Sequence, residues 1–479
     1  MEAEPQTDPE TYFQRYRHLV PSWTDFLDCL QRPLPTTVWA HPARLGRDAV
    51  ASLLAETGMW AEPVSWADNA LRLPADAPVG AHWGFMAGLF QIQEEIAMLP
   101  ARLLDARPGE RVLDLCAAPG NKTAQISMAM GNQGTLYAND VRRERLGALR
   151  QTIKRLGLRN VVTTVQPAEE YPLGSGPFDA VLADVPCSGE GTWRKGGPAP
   201  RLPGGDAPRE GLMRRQQRML ERSLAVTRIG GRVVYATCTL SPDENEAVID
   251  AVLRRWGDQL RVRPIRDRVP ELNVSQPVSH WRGTALHGGV AECLRLWPQD
   301  NDTGGFFVAV IDKVGGKEPT PDRPDEGPTW EPAERLNAIL GRFGVAATAL
   351  GGAGLLAPTA RYAHLAPPEL APASRPKPHA MGLPAVGVQA KPDKPTTALA
   401  LSLGSEATMN VIDCTAPQAR AFLDRDSMRI EPVERDAAPG YVLVRHRGVA
   451  LGVGRLYQGG ALESLYPGRW SRASGRRGL

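Results

Sequence analysis

The feature that most constrains this chain is a strand-then-turn pattern that recurs between residues 111 and 240. Short apolar runs at residues 111–116, 134–139, 161–165, 180–183 and 232–236 each end in small, polar or turn-forming residues. Helical patterns follow several of them, at residues 124–130 and 243–256 for example. Runs this apolar suit strands buried on both faces, and their alternation with helices predicts a mostly parallel α/β sheet over residues 79–312. In such sheets ligands bind beyond the carboxyl ends of the strands. The turns after these runs therefore hold the candidate functional residues.

The first of these turns reads as a cofactor site. Cys116-Ala117-Ala118-Pro119-Gly120-Asn121-Lys122 lies between a strand and a helix. Small residues there let the backbone approach a ligand closely, and a helix N-terminus favours an anionic group. Asp140 ends the next strand, about twenty residues past the glycine turn, where a carboxylate accepts hydrogen bonds from ribose hydroxyls. The three glycines of a dinucleotide fingerprint and the Gly-Lys-Ser/Thr ending of a phosphate loop are both missing. A nucleoside cofactor carrying a carboxylate fits best, and S-adenosylmethionine is that compound. Cys116, Ala117, Ala118, Pro119, Gly120, Asn121, Lys122 and Asp140 are the residues expected to hold it.

Two further turns each carry a thiol: Cys187 in Asp184-Val185-Pro186-Cys187-Ser188-Gly189 and Cys238 in Thr237-Cys238-Thr239. A solitary cysteine is most often a small buried hydrophobe. Neither of these has the closely spaced Cys or His partner of a metal site, so no metal is expected. The chain has only six cysteines, and its first twenty residues mix acidic and basic side chains unlike a signal peptide. A reduced, cytoplasmic protein without disulfides is the expectation. Two thiols at neighbouring strand ends suit chemistry that makes a covalent bond and then breaks it.

The three segments at 112–123, 184–191 and 237–239 resemble, in order and separation, the Nop/Sun family of RNA cytosine-5 methyltransferases. The resemblance is close over residues 80–312, and extends to Gly88, Gln91 and Gln93 and to Gly304-Gly305-Phe306-Phe307. More weakly, residues 440–444, 451–455 and 465–467 are similar to the C-terminal RNA-binding module of the RsmF branch, which modifies 16S rRNA. The resemblance implies a class I (Rossmann-like) methyltransferase domain with an N-terminal helical domain and small C-terminal α+β, PUA-like modules. It implies 5-methylcytosine formation with S-adenosylmethionine through a covalent Cys–cytosine adduct. Cys238 would be the nucleophile that adds to carbon 6, and Cys187 would help remove the carbon-5 proton and release product. Asp184 would hold the cytosine edge and face the cofactor. In DNA cytosine-5 methyltransferases the Pro-Cys thiol is the nucleophile instead. The helix expected after Cys238 would help to ionise it. A tRNA substrate is the alternative within this class, and a non-catalytic ribosome-assembly RNA-binding factor is the alternative outside it. Where the family often has an acidic residue after its third strand, this chain has Gln166-Pro167-Ala168-Glu169.

The remaining expectations concern RNA and domain layout. A hydrophobic content of 42% supports packed cores, whereas a net charge of +3 says little about partners. Local charge says more: the basic segment 193–218 next to the thiols is a candidate phosphate rim. Arg143, Arg150 and Arg155 read as a wet helix face, and the basic end at 469–477 as a tail that could touch RNA. No apolar run approaches the ~20 residues of a membrane helix, so no membrane association is expected. The layout is an N-terminal helix-rich RNA-binding domain at 1–78, a methyltransferase domain at 79–312, a linker at 313–329, an intermediate domain at 330–400 and a PUA-like domain at 401–479. Tyr12, Phe13, Tyr16, Trp23 and Phe26 are read as core, and residues 440–456 as a hairpin. A monomer with RNA as partner is expected. Target selection is assigned to the flanking domains, so a chain ending near Lys313 should keep its cofactor and lose its RNA.

Overall fold

The structure is a computed structural model, and it describes residues 8–196, 206–322, 328–357, 359, 361–431 and 437–470. Its centre is an open sheet that follows the predicted strand pattern. The strands are β1 (Arg111–Asp114), β2 (Thr135–Asn139), β3 (Val161–Thr164), β4 (Phe178–Asp184), β5 (Thr227–Thr237), β6 (Leu260–Val262), β7 (Leu294–Leu296), β8 (Phe306–Lys313) and β9 (Ala380–Met381). Their order is β6-β8-β5-β4-β1-β2-β3-β9, with β7 hairpinned onto β8. The strands from β5 to β3 in that order run parallel. Those on either side of them pair antiparallel.

Alternation along each strand sends successive residues to opposite faces. Val112, Leu136, Val161, Ala180 and Val234 join one core, against α1 (Asn121–Ala129) and α2 (Leu146–Leu156). Leu113, Tyr137, Val162, Val181 and Val233 join the other, against α3 (Asp206–Val226) and α4 (Glu246–Trp256). This is the α/β, Rossmann-like class expected. The reversal of winding falls at β1, with β2 on one side and β4 on the other, which is where such sheets open a crevice.

The flanking regions differ from the expected layout. Residues 8–78 are not simply helical. Thr36–Ala40, Glu62–Pro63, Ala70–Leu73 and Phe90–Ile92 form a four-stranded antiparallel sheet. A boundary at 78 would cut that sheet, because Phe90–Ile92 pairs with residues 38–40. Thr-Thr-Val-Trp is rich in β-branched and aromatic residues and favours a strand. Similarly, a boundary at 400 falls inside the helix Thr397–Leu403. The segment 330–400 also donates β9 to the edge of the central sheet, beside β3. The expected hairpin is present as Gly440–His446 and Val449–Leu456, turning through Arg447 and Gly448, both at positive φ. It sits in a five-stranded sheet. Among the described residues no helix is long and apolar enough to cross a membrane.

Candidate active site

β5, β4 and β1 are neighbours, and their registers (Asp184 opposite Ala236, Asp114 opposite Leu182) bring the three turns that follow them to one end of the sheet. The thiols of Cys187 and Cys238 stand 3.4 Å apart there, both half-buried. Lys122, in the first turn of α1, reaches across to Asp184 with Nζ 2.8 Å from Oδ2. Lys122, expected to hold the cofactor, thus lies with Asp184 beside the thiol pair.

The electrostatics separate the two thiols. A hydrogen bond from the Cys187 thiol favours the Cys238 thiolate and lowers its pKa; burial and Asp184 oppose this, while the Lys122 and Lys195 ammonium groups assist. The same hydrogen bond, with burial and the Glu244 carboxylate, pushes Cys187 well above the ordinary thiol range. Burial works against the Lys122 charge, but Asp184 outweighs it and the pKa of Lys122 rises. The helix expected from Asp243 onward starts later. α4 begins only at Glu246, beyond a turn whose polar side chains are turned inward.

That turn supplies a clamp that sequence reasoning missed. Glu244 accepts from the Ser188 backbone N–H at 2.9 Å, the Ser188 hydroxyl at 2.6 Å and the Gln216 amide at 2.9 Å. Asn245 accepts from the Thr237 hydroxyl at 2.5 Å and donates to the Thr239 carbonyl at 3.0 Å. One turn therefore holds the residue after Cys187 and both neighbours of Cys238. Gly191 N–H donates to the Cys238 carbonyl, and the Gly191 carbonyl accepts from Gly305, each at 2.9 Å. The only sequence signal for this clamp was the polar run Asp243-Glu244-Asn245-Glu246, which reads equally as a helix start.

The cofactor turn is preorganised. Gly120 has φ +107°, and a Cβ there would press on Leu149 of α2. Asn121 accepts from Gln91 at 2.5 Å, so the N-terminal sheet braces the turn. Asp140 is buried; its Oδ1 accepts from the Arg142 N–H at 2.9 Å. Its Oδ2 lies 3.0 Å from the guanidinium of Arg145 yet receives no hydrogen bond. A buried carboxylate oxygen without a donor beside a close-approach turn fits a hydroxyl-bearing nucleoside. Cys116 is held neutral, since burial and then the carboxylates of Asp114, Asp184 and Asp140 push its thiol up. Asp114 itself is pushed up to about 7 by burial, although the Thr123 hydroxyl donates to it at 2.6 Å. Glu169 is committed to Arg215 at 2.9 Å.

The candidate phosphate rim changes too. Arg194 is buried and spends its donors on the carbonyls of Arg32, Pro33 and Thr303 and on Asp302. Part of the basic segment, 197–205, lies outside the described residues, as does the tail at 471–479. Arg155 is not on a wet face; it is buried and donates to the carbonyls of Phe85 and Phe90. Tyr12, Phe13, Tyr16 and Phe26 pack as core against Trp297 and Leu240.

Comparison with known proteins finds relatives for two parts of the chain. Residues 101–312 match the family described as 16S rRNA methyltransferase RsmB/F, and residues 409–472 match the methyltransferase RsmF PUA domain. Ribosomal RNA small subunit methyltransferase F of Klebsiella pneumoniae (strain 342) is 32% identical over 329 residues, 65% of this chain and 65% of that protein. The protein of the same description from Vibrio vulnificus (strain YJ016) is 33% identical over 322 residues, 64% of each chain. The chain thus spans less than two thirds of the length of the curated relatives it matches. A crystal structure of a methyltransferase homolog protein from Pyrococcus horikoshii is similar at 29% identity and a TM-score of 0.53, covering 65% of this chain and 100% of that one. The central sheet and the C-terminal module are thus each similar to a part of the RsmB/F-type methyltransferases.

Proposed function

We propose that this protein is an S-adenosylmethionine-dependent RNA methyltransferase that forms 5-methylcytosine in 16S rRNA through a transient Cys238–cytosine bond. The observation that carries this reading is the thiol pair, two sulfurs 3.4 Å apart with opposite pKa shifts, beside the Lys122–Asp184 pair. When bound, S-adenosylmethionine supplies the electrophilic methyl group. The turn from Cys116 to Lys122 and the Asp140 carboxylate would hold it.

The Cys238 thiolate adds to carbon 6 of the cytosine, which makes carbon 5 nucleophilic; carbon 5 then takes the methyl group as the methyl–sulfur bond breaks and the sulfonium leaves as a neutral thioether. Asp184 holds the base edge, its carboxylate accepting from the exocyclic amino group. Once Cys238 is bonded to carbon, the thiolate charge that most strongly kept the proton on Cys187 is gone and the pKa of Cys187 falls, although burial and Glu244 still hold it up; its proton is released to solvent. Cys187 then takes the carbon-5 proton. The sulfur–carbon-6 bond breaks, Cys238 leaves as thiolate and the ring double bond is restored. The relatives' names and the PUA match favour small-subunit rRNA as the substrate.

The test is methylation of unmodified rRNA, assembled small subunits and tRNA, mapped by bisulfite sequencing. 5-Methylcytosine in 16S rRNA is expected from the native chain and none from Cys238→Ala. Product at another atom, or activity in Cys238→Ala, would overturn the chemistry. Modification of tRNA alone would overturn the substrate.

A further inference from the structure

A groove of about 690 Å³ lies where three parts of the chain meet. Arg150 and Lys154 enter it from α2, Arg361 and Lys394 from the 330–400 segment, and Arg469 from the C-terminal module. Among the described residues no carboxylate lines it. Elsewhere arginines are commonly paired, as Arg254 is with Asp250, Arg255 with Glu221 and Arg263 with Asp312. Among the described residues none of these five cations is in an ion pair, and Arg150 donates only to the Leu146 carbonyl of its own helix. Burial, then Arg150 and Arg469, disfavour the charge on Lys154. Burial, then Arg150 and Arg143, do the same to His379 nearby.

Five like charges gathered in one concavity repel each other, and a polyanion relieves that repulsion. A single phosphate would neutralise only part of this charge and fill little of the volume. A chain of phosphates does both. Tyr362, 38% exposed, and Trp470 add aromatic surface to the same groove, the second element of a single-strand platform. Gly147 extends the lining to the first turn of α2, next to Arg145 and its partner Asp140.

We propose that this groove binds a single-stranded stretch of the substrate RNA, with phosphates against Arg150, Lys154, Arg361, Lys394 and Arg469 and a base against Tyr362 or Trp470. The inference rests on RNA being the substrate of the thiol site, and it assigns to three regions jointly the grip that the PUA match alone would place in one.

The full-length chain is titrated against a labelled single-stranded oligoribonucleotide by fluorescence anisotropy. Arg150→Glu with Lys394→Glu should weaken binding at least about tenfold. The log–log slope of affinity against salt should flatten by about 0.7 for each phosphate that the protein no longer neutralises. The melting temperature and S-adenosylmethionine affinity should stay at native values. Lys394→Arg should bind as the native chain does. Arg261→Glu, on the strand at the far edge of the sheet, is the control. Groove variants that bind RNA no worse than Arg261→Glu would overturn the proposal. So would equal displacement by polyglutamate, which would mark a site for acidic protein. Methylation by the native chain with unaltered binding in the groove variants would sink the groove alone. RNA binding lost in those variants, with no methyl transfer by the native chain, would sink the catalytic reading alone.

Discussion

At the scale of residues, the two thiols differ through each other. A hydrogen bond from Cys187 lowers Cys238, so removing the donor must raise it. The alkylating form is the thiolate. Cys187→Ala should therefore move the pH midpoint of Cys238 alkylation upward, and Lys122→Met should move it the same way, as read by iodoacetamide labelling and mass spectrometry. A midpoint that stays or falls would show that neither group supports the thiolate. In the presence of RNA and cofactor, Cys187→Ala should also accumulate a protein–RNA adduct that survives denaturing gels, and adding Cys238→Ala should abolish it. On the cofactor side, Asp140→Ala removes a buried acceptor, and calorimetry should show S-adenosylmethionine binding weakened by about 1–3 kcal/mol. Unchanged affinity would move the ribose site elsewhere.

At the scale of elements, the segment after Cys238 shows why a helix pattern did not locate the helix start. Asp243, Glu244, Asn245 and Glu246 resemble a polar first turn, but tertiary partners claim each of them. Asp243 accepts from Trp281 Nε1 at 2.7 Å and pairs with Arg282. Glu244 and Asn245 hold the thiol turns. Glu246 meets Arg295 of β7 at 2.5 Å, with both side chains buried. Arg295 in turn donates to the Leu240 carbonyl at 2.8 Å, two residues from Cys238. Breaking a buried pair strands a charge, so Glu246→Ala should cost about 3–5 kcal/mol in urea unfolding. A loss below about 1 kcal/mol would mean that the arginine finds water or another acceptor.

At the scale of the whole molecule, the C-terminal third is not an appended module. Leu383, Ala385, Leu399 and Val453 belong to the same apolar core as Val112, Ile126 and Leu149 of the central unit. β9 covers the edge of β3, and the backbone near Ala371 and Ala373 bonds with Arg111 and Tyr137. A chain truncated after Lys313 would expose that core and an unpaired strand edge, and such edges aggregate. The expectation that it simply keeps its cofactor and loses RNA is therefore revised. Light scattering and thermal melting should show aggregation or a lowered melting temperature. A soluble truncated chain with native melting and cofactor affinity would restore the modular view.

The local code was sufficient for much of the central unit. Continuous apolar runs and the turn residues after them placed β1 to β5, and small residues after β1 marked a turn that only glycine at φ +107° completes. The identity of the three strand-end motifs also placed both thiols and Asp184 together, because parallel neighbours bring their carboxyl ends to one edge. What local pattern could not reach were partners chosen across long stretches of chain. Lys122 meeting Asp184, Glu244 closing on Ser188, Arg194 turning inward and the five cations of the groove all depend on which surfaces pack together. A charged side chain carries no local mark of whether it will face water, a carbonyl or another charge. Only the tertiary fold decides that.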